Sequence, residues 1–499
     1  MENLINKMTN KVYQNSTELM NLHGVPFYMN DFVDACLYGR LNLFLQGDTG
    51  GGKTQLARDA MNYFGTTSGD GKFAKELQEK FSDKLDNKSN YAINSLKKFD
   101  EDKTMFLLGR NDMDTRELFQ TFNLGKLNQK PTYNLEPLVN PETGEVEYFY
   151  PKVNKNGIFV YSKLSKQQAE VVRNGLERLS GTTEEMKELT SKINTNLVVV
   201  DELPNCVPAV RAQLFNLFDG LIEINGKAYQ IGNGYSVGIA TGNIGQKFTE
   251  SSNDLGRALK DRMHVTLDID YFHPTSYDTL KILSKDTNPR VDFNGSNEAL
   301  ENKVLSAHKE VSSKEISFEK LIAVNYLIHG LDYCEDGKSK RKMKEAWPNE
   351  ITSHGQGSDE ALILPVSVRG AKSILRLSEA FDYLAKEKGA SEKDIQENSF
   401  DSVMSAFKFV GAYSGILNDI SVRENYANDK YSAIDAVIQT AKTQFEEKSK
   451  DISAGFEMIH KGKKSQKVLN MFDGRWSFMK DVLEGIIDAQ NKNKENKIK

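Results

Sequence analysis

Five short apolar runs punctuate the first 270 residues, at 41–46, 104–108, 197–200, 235–241 and 265–269. Runs of that length, rich in Val, Ile and Leu, predict strands buried on both faces. Helical spacing appears between them. Gln55, Leu56, Ala57 and Met61 mark one helix, and Val207, Val210, Leu214 and Leu217 mark another with Pro208 in its first turn. A short helix is also expected near 115–121. Strands alternating with helices predict an α/β fold with a mainly parallel, doubly covered sheet.

Other segments follow different rules. Val146, Tyr148 and Tyr150 alternate after the turn Pro141-Glu142-Thr143-Gly144, and with the run 158–161 they predict a hairpin. Asn225-Gly226 lies between two more alternating runs, 221–224 and 228–231, which predicts a second hairpin. Ser165 and Gln168 can close a capping box ahead of the stripe Ala169, Val172, Leu176 and Leu179. Gly181 can end that helix and Thr182 begin another, so a helical pair is expected before the third strand. Beyond Pro274 the pattern is mostly helical, with loops near 285–297 and 335–360. The stripes Ile434, Val437, Ile438, Ala441, Phe445 and Trp476, Met479, Leu483, Ile486 read as core.

Composition narrows the class. Apolar content of 38% and charged content of 27% are those of a soluble globular chain, and no window has the 18 or so apolar residues of a membrane span. The N-terminus has no basic-then-apolar leader, so a cytoplasmic protein is expected. Cys36, Cys206 and Cys334 lie far apart and read as buried, reduced thiols. A net charge of −5 argues against phosphate-backbone binding as the main function. The basic runs 338–344 and 461–464 and the Lys-rich tail read as solvated segments. The histidines show no metal-binding spacing.

Three elements carry chemistry. The first is Gly47-Asp48-Thr49-Gly50-Gly51-Gly52-Lys53-Thr54, which fits G-x-x-x-x-G-K-[ST] between a strand and a helix. Glycines let backbone N–H groups turn around phosphates at a helix N-terminus, Lys53 would reach the β- and γ-phosphates, and the Thr54 hydroxyl would hold Mg²⁺. Asp48 is expected to face solvent. The second is the strand 197–200 ending in Asp201 and Glu202. Asp201 would hold Mg²⁺, and Glu202 would orient and deprotonate the attacking water. The third is Asn243, at the end of the strand Gly238-Ile239-Ala240-Thr241-Gly242, where an amide can hold the attacking water or the γ-phosphate. Without a ligand, the same residues would be a glycine turn and two ordinary strand ends.

The order of Lys53, Asp201, Asn243 and Arg262 resembles the AAA+ ATPases, in particular the MoxR-like and dynein- or midasin-like branch, over about residues 20–415. The resemblance implies ATP, more than GTP, as the nucleotide. It makes Arg262, in Ala258-Leu259-Lys260-Asp261-Arg262, the arginine that completes a neighbouring subunit's site, with Arg257 as its rival. Arg369, in Leu364-Pro365-Val366-Ser367-Val368-Arg369, looks like the second sensor. The chain departs from the family where Leu203-Pro204-Asn205 follows Glu202 and where Met263 follows Arg262. The implied organisation is an N-terminal segment (1–19), an ATPase core (20–270) with insertions at about 70–101, 125–161 and 164–194, a helical lid (271–415) and a C-terminal helical extension (416–499).

The resemblance further implies a homo-oligomeric ring, usually a hexamer, that remodels a protein client or works with an adaptor of the von Willebrand A type. The hairpin at Asn225-Gly226, with Lys227 beside it, would face the client. A nucleic-acid-associated motor or restriction-type subunit is the alternative, favoured by the basic runs. A nucleotide switch without hydrolysis is opposed by the presence of both Asp201 and Glu202. No membrane partner is expected.

Overall fold

The computed structural model describes residues 13–64, 103–110, 118–122, 136–139, 146–153, 159–165, 167–168, 187–224, 227–243, 260, 262–284, 300–335, 337–351 and 358–498. Five strands form its central sheet: β1 (Leu43–Gln46), β2 (Thr104–Leu108), β3 (Leu197–Asp201), β4 (Val237–Gly242) and β5 (Val265–Asp268). Their order is 5-1-4-3-2 and every pairing is parallel. Each coincides with one of the apolar runs to within two residues. The reason is burial: Leu43, Phe44 and Leu45, like Val198, Val199 and Val200, are at most 1% exposed, so neither sheet face could tolerate polar alternation.

Register decides what this sheet presents. Gln46 pairs with both Gly242 and Asp268, and Asp201 pairs with Leu108. The residues that follow β1, β3, β4 and β5 therefore emerge along one edge, the carboxyl ends of the strands, where open α/β sheets place ligands. Helix α1 (Met29–Tyr38) precedes β1, α2 (Lys53–Met61) follows it, and α3 (Pro208–Phe218) starts at its proline as expected. After α3, Leu221–Ile224 pairs antiparallel with Lys227–Gln230, which is the expected second hairpin. Its turn, Asn225-Gly226, lies outside the described residues.

The helical half contains α4 (Glu301–Ser313), α5 (Phe318–His329), α6 (Val368–Glu387), α7 (Ser399–Gly411), α8 (Lys430–Lys461) and α9 (Phe478–Ile498). Ser367 caps α6 by accepting the Gly370 N–H, and Asp429 caps α8 by accepting that of Ser432. The C-terminal stripes face the core: Ile434, Val437, Ala441, Trp476, Met479 and Leu483 are buried, and Ile487 replaces Ile486 as the deepest residue of its turn. The three cysteines are free and buried. No described helix is long and apolar enough to cross a membrane.

Residues 114–193 form a compact unit of their own, and 1–113 with 194–499 form the other. In the smaller unit, Val146–Val153 pairs antiparallel with both Phe159–Leu164 and Glu136–Val139, so the expected hairpin is the larger part of a three-stranded sheet. Ser165 and Gln168 make both bonds of the capping box. Gln120–Phe122 pairs antiparallel with Lys187–Leu189, so the helix expected near 115–121 is present at Leu118 and Phe119 and gives way to a strand at Gln120. Residues 111–117 and 182–186, which hold the rest of that helix and the start of the one expected after Thr182, lie outside the described residues. The stripe 169–179, the insertion at 70–101 and Arg257 lie outside the described residues.

Candidate active site

The loop 47–54 leaves the end of β1 and turns directly into α2. Gly47, Gly50 and Gly52 all have positive φ, at 153°, 88° and 81°. Gly52 has a second constraint: a Cβ there would stand 2.9 Å from the ring of buried Tyr13, so only glycine lets the loop close over the N-terminal segment. Asp48 is exposed, as expected, and its carboxylate accepts the Thr49 N–H at 2.6 Å. Lys53 folds back over the loop, donating to the carbonyls of Gly47 at 2.9 Å and Asp48 at 2.6 Å.

The elements expected to act together do converge. Thr54 Oγ1 donates to Asp201 Oδ1 at 2.8 Å, bringing the first residues of α2 onto the last residue of β3. Glu202 follows in the left-handed region with φ 59°, an unusual state for a residue with a side chain. Its backbone N–H donates to Thr241 Oγ1 at 3.1 Å, and its carboxylate accepts the Asn205 amide at 3.1 Å. Asn243 Nδ2 donates to Thr49 Oγ1 at 3.2 Å, so the third motif touches the first.

The departure at 203–205 has a structural reading. Leu203, Pro204 and Asn205 form a single tight turn behind Glu202, with the Asn205 N–H returning to the Glu202 carbonyl at 3.0 Å. Pro204 packs on Gly242, where a Cβ would lie 2.3 Å from the proline ring. Asn205 thus aims an amide at the Glu202 carboxylate.

Two contributors were missed from sequence. Buried Thr241 donates to Asp201 Oδ1 at 2.5 Å while accepting from Glu202, so one hydroxyl holds both acids. Asp270, just beyond β5, accepts the Asp48 N–H at 2.7 Å and so braces the loop. A threonine inside an apolar strand and an aspartate in a turn are too common to stand out. Only the parallel register brings them to the loop.

Electrostatics favours a cation alongside a phosphate chain. Burial pulls the Lys53 ammonium below its ordinary pKa, and Asp270, Asp48, Asp201 and Glu202 push it back up. Four carboxylates face the ammonium, with Arg58 also drawn to Asp201, and a polyphosphate would add negative charge that a divalent ion would offset. The donors suit Mg²⁺: a hydroxyl and a carboxylate, both hard oxygens and already adjacent. Among the described residues no group of three or more His, Cys, Asp or Glu could hold a metal. A two-residue set completed by nucleotide and water needs no such group.

The arginines lie elsewhere. Arg262 precedes β5, whose first residue pairs with the first residue of β1, so it sits at the edge opposite the loop. Its Nε donates to Asp219 at 3.1 Å, its guanidinium lies 4.7 Å from the Phe215 ring centre, and its carbonyl accepts from Asn42. Arg369 is exposed in the first turn of α6. Together with Arg376 and Arg40 it bears on His264, whose imidazole is pushed down to about 4 by burial first and by these three charges next. Both arginines therefore associate with the amino edge of the sheet.

Sheet order, loop and strand-three acids make this a P-loop α/β fold, with a helical half after it. No family model matches the chain, and no curated protein does. Among solved structures it is similar to a crystal structure described as a "putative ATPase" from Cytophaga hutchinsonii, with 13% identity and a TM-score of 0.46 over 83% of this chain and 88% of that one. A likeness of that size assigns no residue a role.

Proposed function

We propose that the chain binds ATP with Mg²⁺ on the loop 47–54 and hydrolyses it. The observation that carries this reading is the meeting of Lys53, Thr54, Asp201 and Glu202 at one sheet edge, with Thr54 already bonded to Asp201. In this reading Lys53 exchanges its two loop carbonyls for phosphate oxygens. Thr54 and Asp201 hold the cation, which when bound would neutralise charge on the transferring phosphoryl. Glu202 orients the attacking water and takes its proton, and Asn243 fixes that water or the γ-phosphate. Phosphate release should need both ATP and Mg²⁺, stop on chelation and return when Mg²⁺ is restored. A chain that neither binds nor hydrolyses ATP under these conditions would end the proposal.

Thr241 gives a sharper test. Thr241→Val keeps the shape but removes the hydroxyl shared by Asp201 and Glu202, and should lower turnover or Mg²⁺ affinity about 10-fold or more. Mg²⁺ titration of phosphate release reads this directly, and an unchanged curve would remove Thr241 from the site.

The finer reading is an oligomeric ring, with Arg262 completing the site of the next subunit and ATP turnover remodelling a partner protein. The position of Arg262 and Arg369 away from their own chain's loop supports it. Arg262→Ala should keep ATP binding and lose turnover, by up to about 10³-fold on the scale of trans-acting arginines. Mixed with Glu202→Gln protein, it should recover part of the activity, because some interfaces then pair an intact site with an intact arginine. Turnover per chain that is independent of dilution, with no recovery on mixing, would refute a shared site.

A further inference from the structure

One half-buried carboxylate ties the helical half of the molecule to the nucleotide loop, and no step of hydrolysis requires it. Asp268 closes β5 in register with Gln46, the residue before the loop. Its Oδ2 accepts from Gln46 Nε2 at 3.0 Å and from the Tyr413 hydroxyl at 2.7 Å. Its Oδ1 accepts the backbone N–H groups of Asp270 at 3.0 Å and Tyr271 at 3.3 Å. Its own N–H donates to the Tyr431 hydroxyl at 3.2 Å. Tyr413 lies just beyond α7, and Tyr431 opens α8.

From Asp268 two short routes lead into the loop. One is Gln46 itself, bonded by side chain and followed by Gly47. The other is Asp270, oriented through its N–H, whose carboxylate accepts the Asp48 N–H. The tyrosines are firmly seated. Tyr431 is fully buried, with ring centres 5.3 Å from Phe272, 4.8 Å from Tyr271 and 5.6 Å from Tyr413. Burial raises the pKa of both phenols, so both keep their protons at neutral pH. Moving the start of α8 or the end of α7 must therefore shift or break bonds at Asp268.

We propose that Asp268, Tyr413 and Tyr431 form a positioning relay through which the docking of the C-terminal helices sets the shape of the loop 47–54, and with it nucleotide affinity. This rests on the nucleotide-site reading above and adds to it a role for the helical half. The three residues touch no reacting atom. They act through Gln46 and Asp270.

The test is nucleotide binding by the full chain, with ADP as probe, alongside melting temperature and the KM and kcat for ATP. Tyr413→Phe and Tyr431→Phe each delete one hydroxyl. Tyr413→Phe should raise the ADP Kd and the ATP KM about 10-fold, the scale of one hydrogen bond to a charged group, with a much smaller change in kcat. Tyr431→Phe should shift Kd in the same direction by less, because its lost partner is a neutral N–H. Ile452→Ala is the control, a packing loss in α8 away from Asp268, which should lower the melting temperature and leave Kd unchanged. A Kd for Tyr413→Phe within about 2-fold of the unaltered chain, below the loss of even a weak hydrogen bond, would overturn the relay. So would an equal Kd shift in Ile452→Ala, since affinity would then follow stability alone. Absence of ADP and ATP binding by the unaltered chain would instead overturn the site reading, and shows before any variant is made.

Discussion

Glu202→Gln is expected to bind ATP as the unaltered chain does and to hydrolyse it about 10²–10⁴-fold more slowly, the scale of a lost general base. The substitution keeps size and hydrogen-bonding capacity, so the turn through Asn205 and the N–H bond to Thr241 can both persist. What disappears is a carboxylate able to take a proton from water. Binding should survive because Lys53, Thr54 and the loop amides are untouched, and removing one of the acids around Lys53 if anything favours a polyphosphate. Single-turnover hydrolysis and equilibrium binding measured on one preparation separate the two effects. Turnover near that of the unaltered chain would exclude Glu202 as the base and move attention to the neighbouring acids.

The second large effect is on affinity. Lys53→Ala should weaken ATP binding about 10²-fold or more, since the phosphates lose a buried point charge and its charge-assisted hydrogen bonds. Lys53 is only 8% exposed, and the bonds of its ammonium in this structure are to carbonyls of its own loop. Its loss should therefore spare the sheet and the helical half, and the melting temperature without nucleotide should move little. Nucleotide-induced stabilisation should vanish, because only binding to the folded state can supply it. If ATP still raised the melting temperature of Lys53→Ala as it does for the unaltered chain, the phosphates would have to sit elsewhere.

How readily these residues could be found from sequence depended on what makes each of them distinctive. Gly47, Gly50, Gly52, Lys53 and Thr54 lie within one short loop, and positive φ at three glycines is a local demand that composition reveals. Asp201 and Glu202 are visible because two acids interrupt an apolar strand. Thr241 bonds the strand-three acids and Asp270 braces the loop, yet nothing beside either residue in the chain marks it. The short strands at Gln120–Phe122 and Lys187–Leu189 show the same limit, since their pairing joins residues far apart in the chain.

Local pattern was enough for the five strands, the α/β class, the loop and the strand-three acids, because burial on both sheet faces and positive φ at the loop glycines each impose a rule on neighbouring residues. Tertiary structure decided the rest. The 5-1-4-3-2 order and its register bring Thr54, Thr241 and Glu202 around Asp201, and Asp270 to the loop, while Arg262 goes to the far edge. The docking of α7 and α8 sets two tyrosines on Asp268. These are contacts between residues far apart in the chain, made by packing and hydrogen-bond geometry, and a pattern confined to neighbours has no means of encoding them.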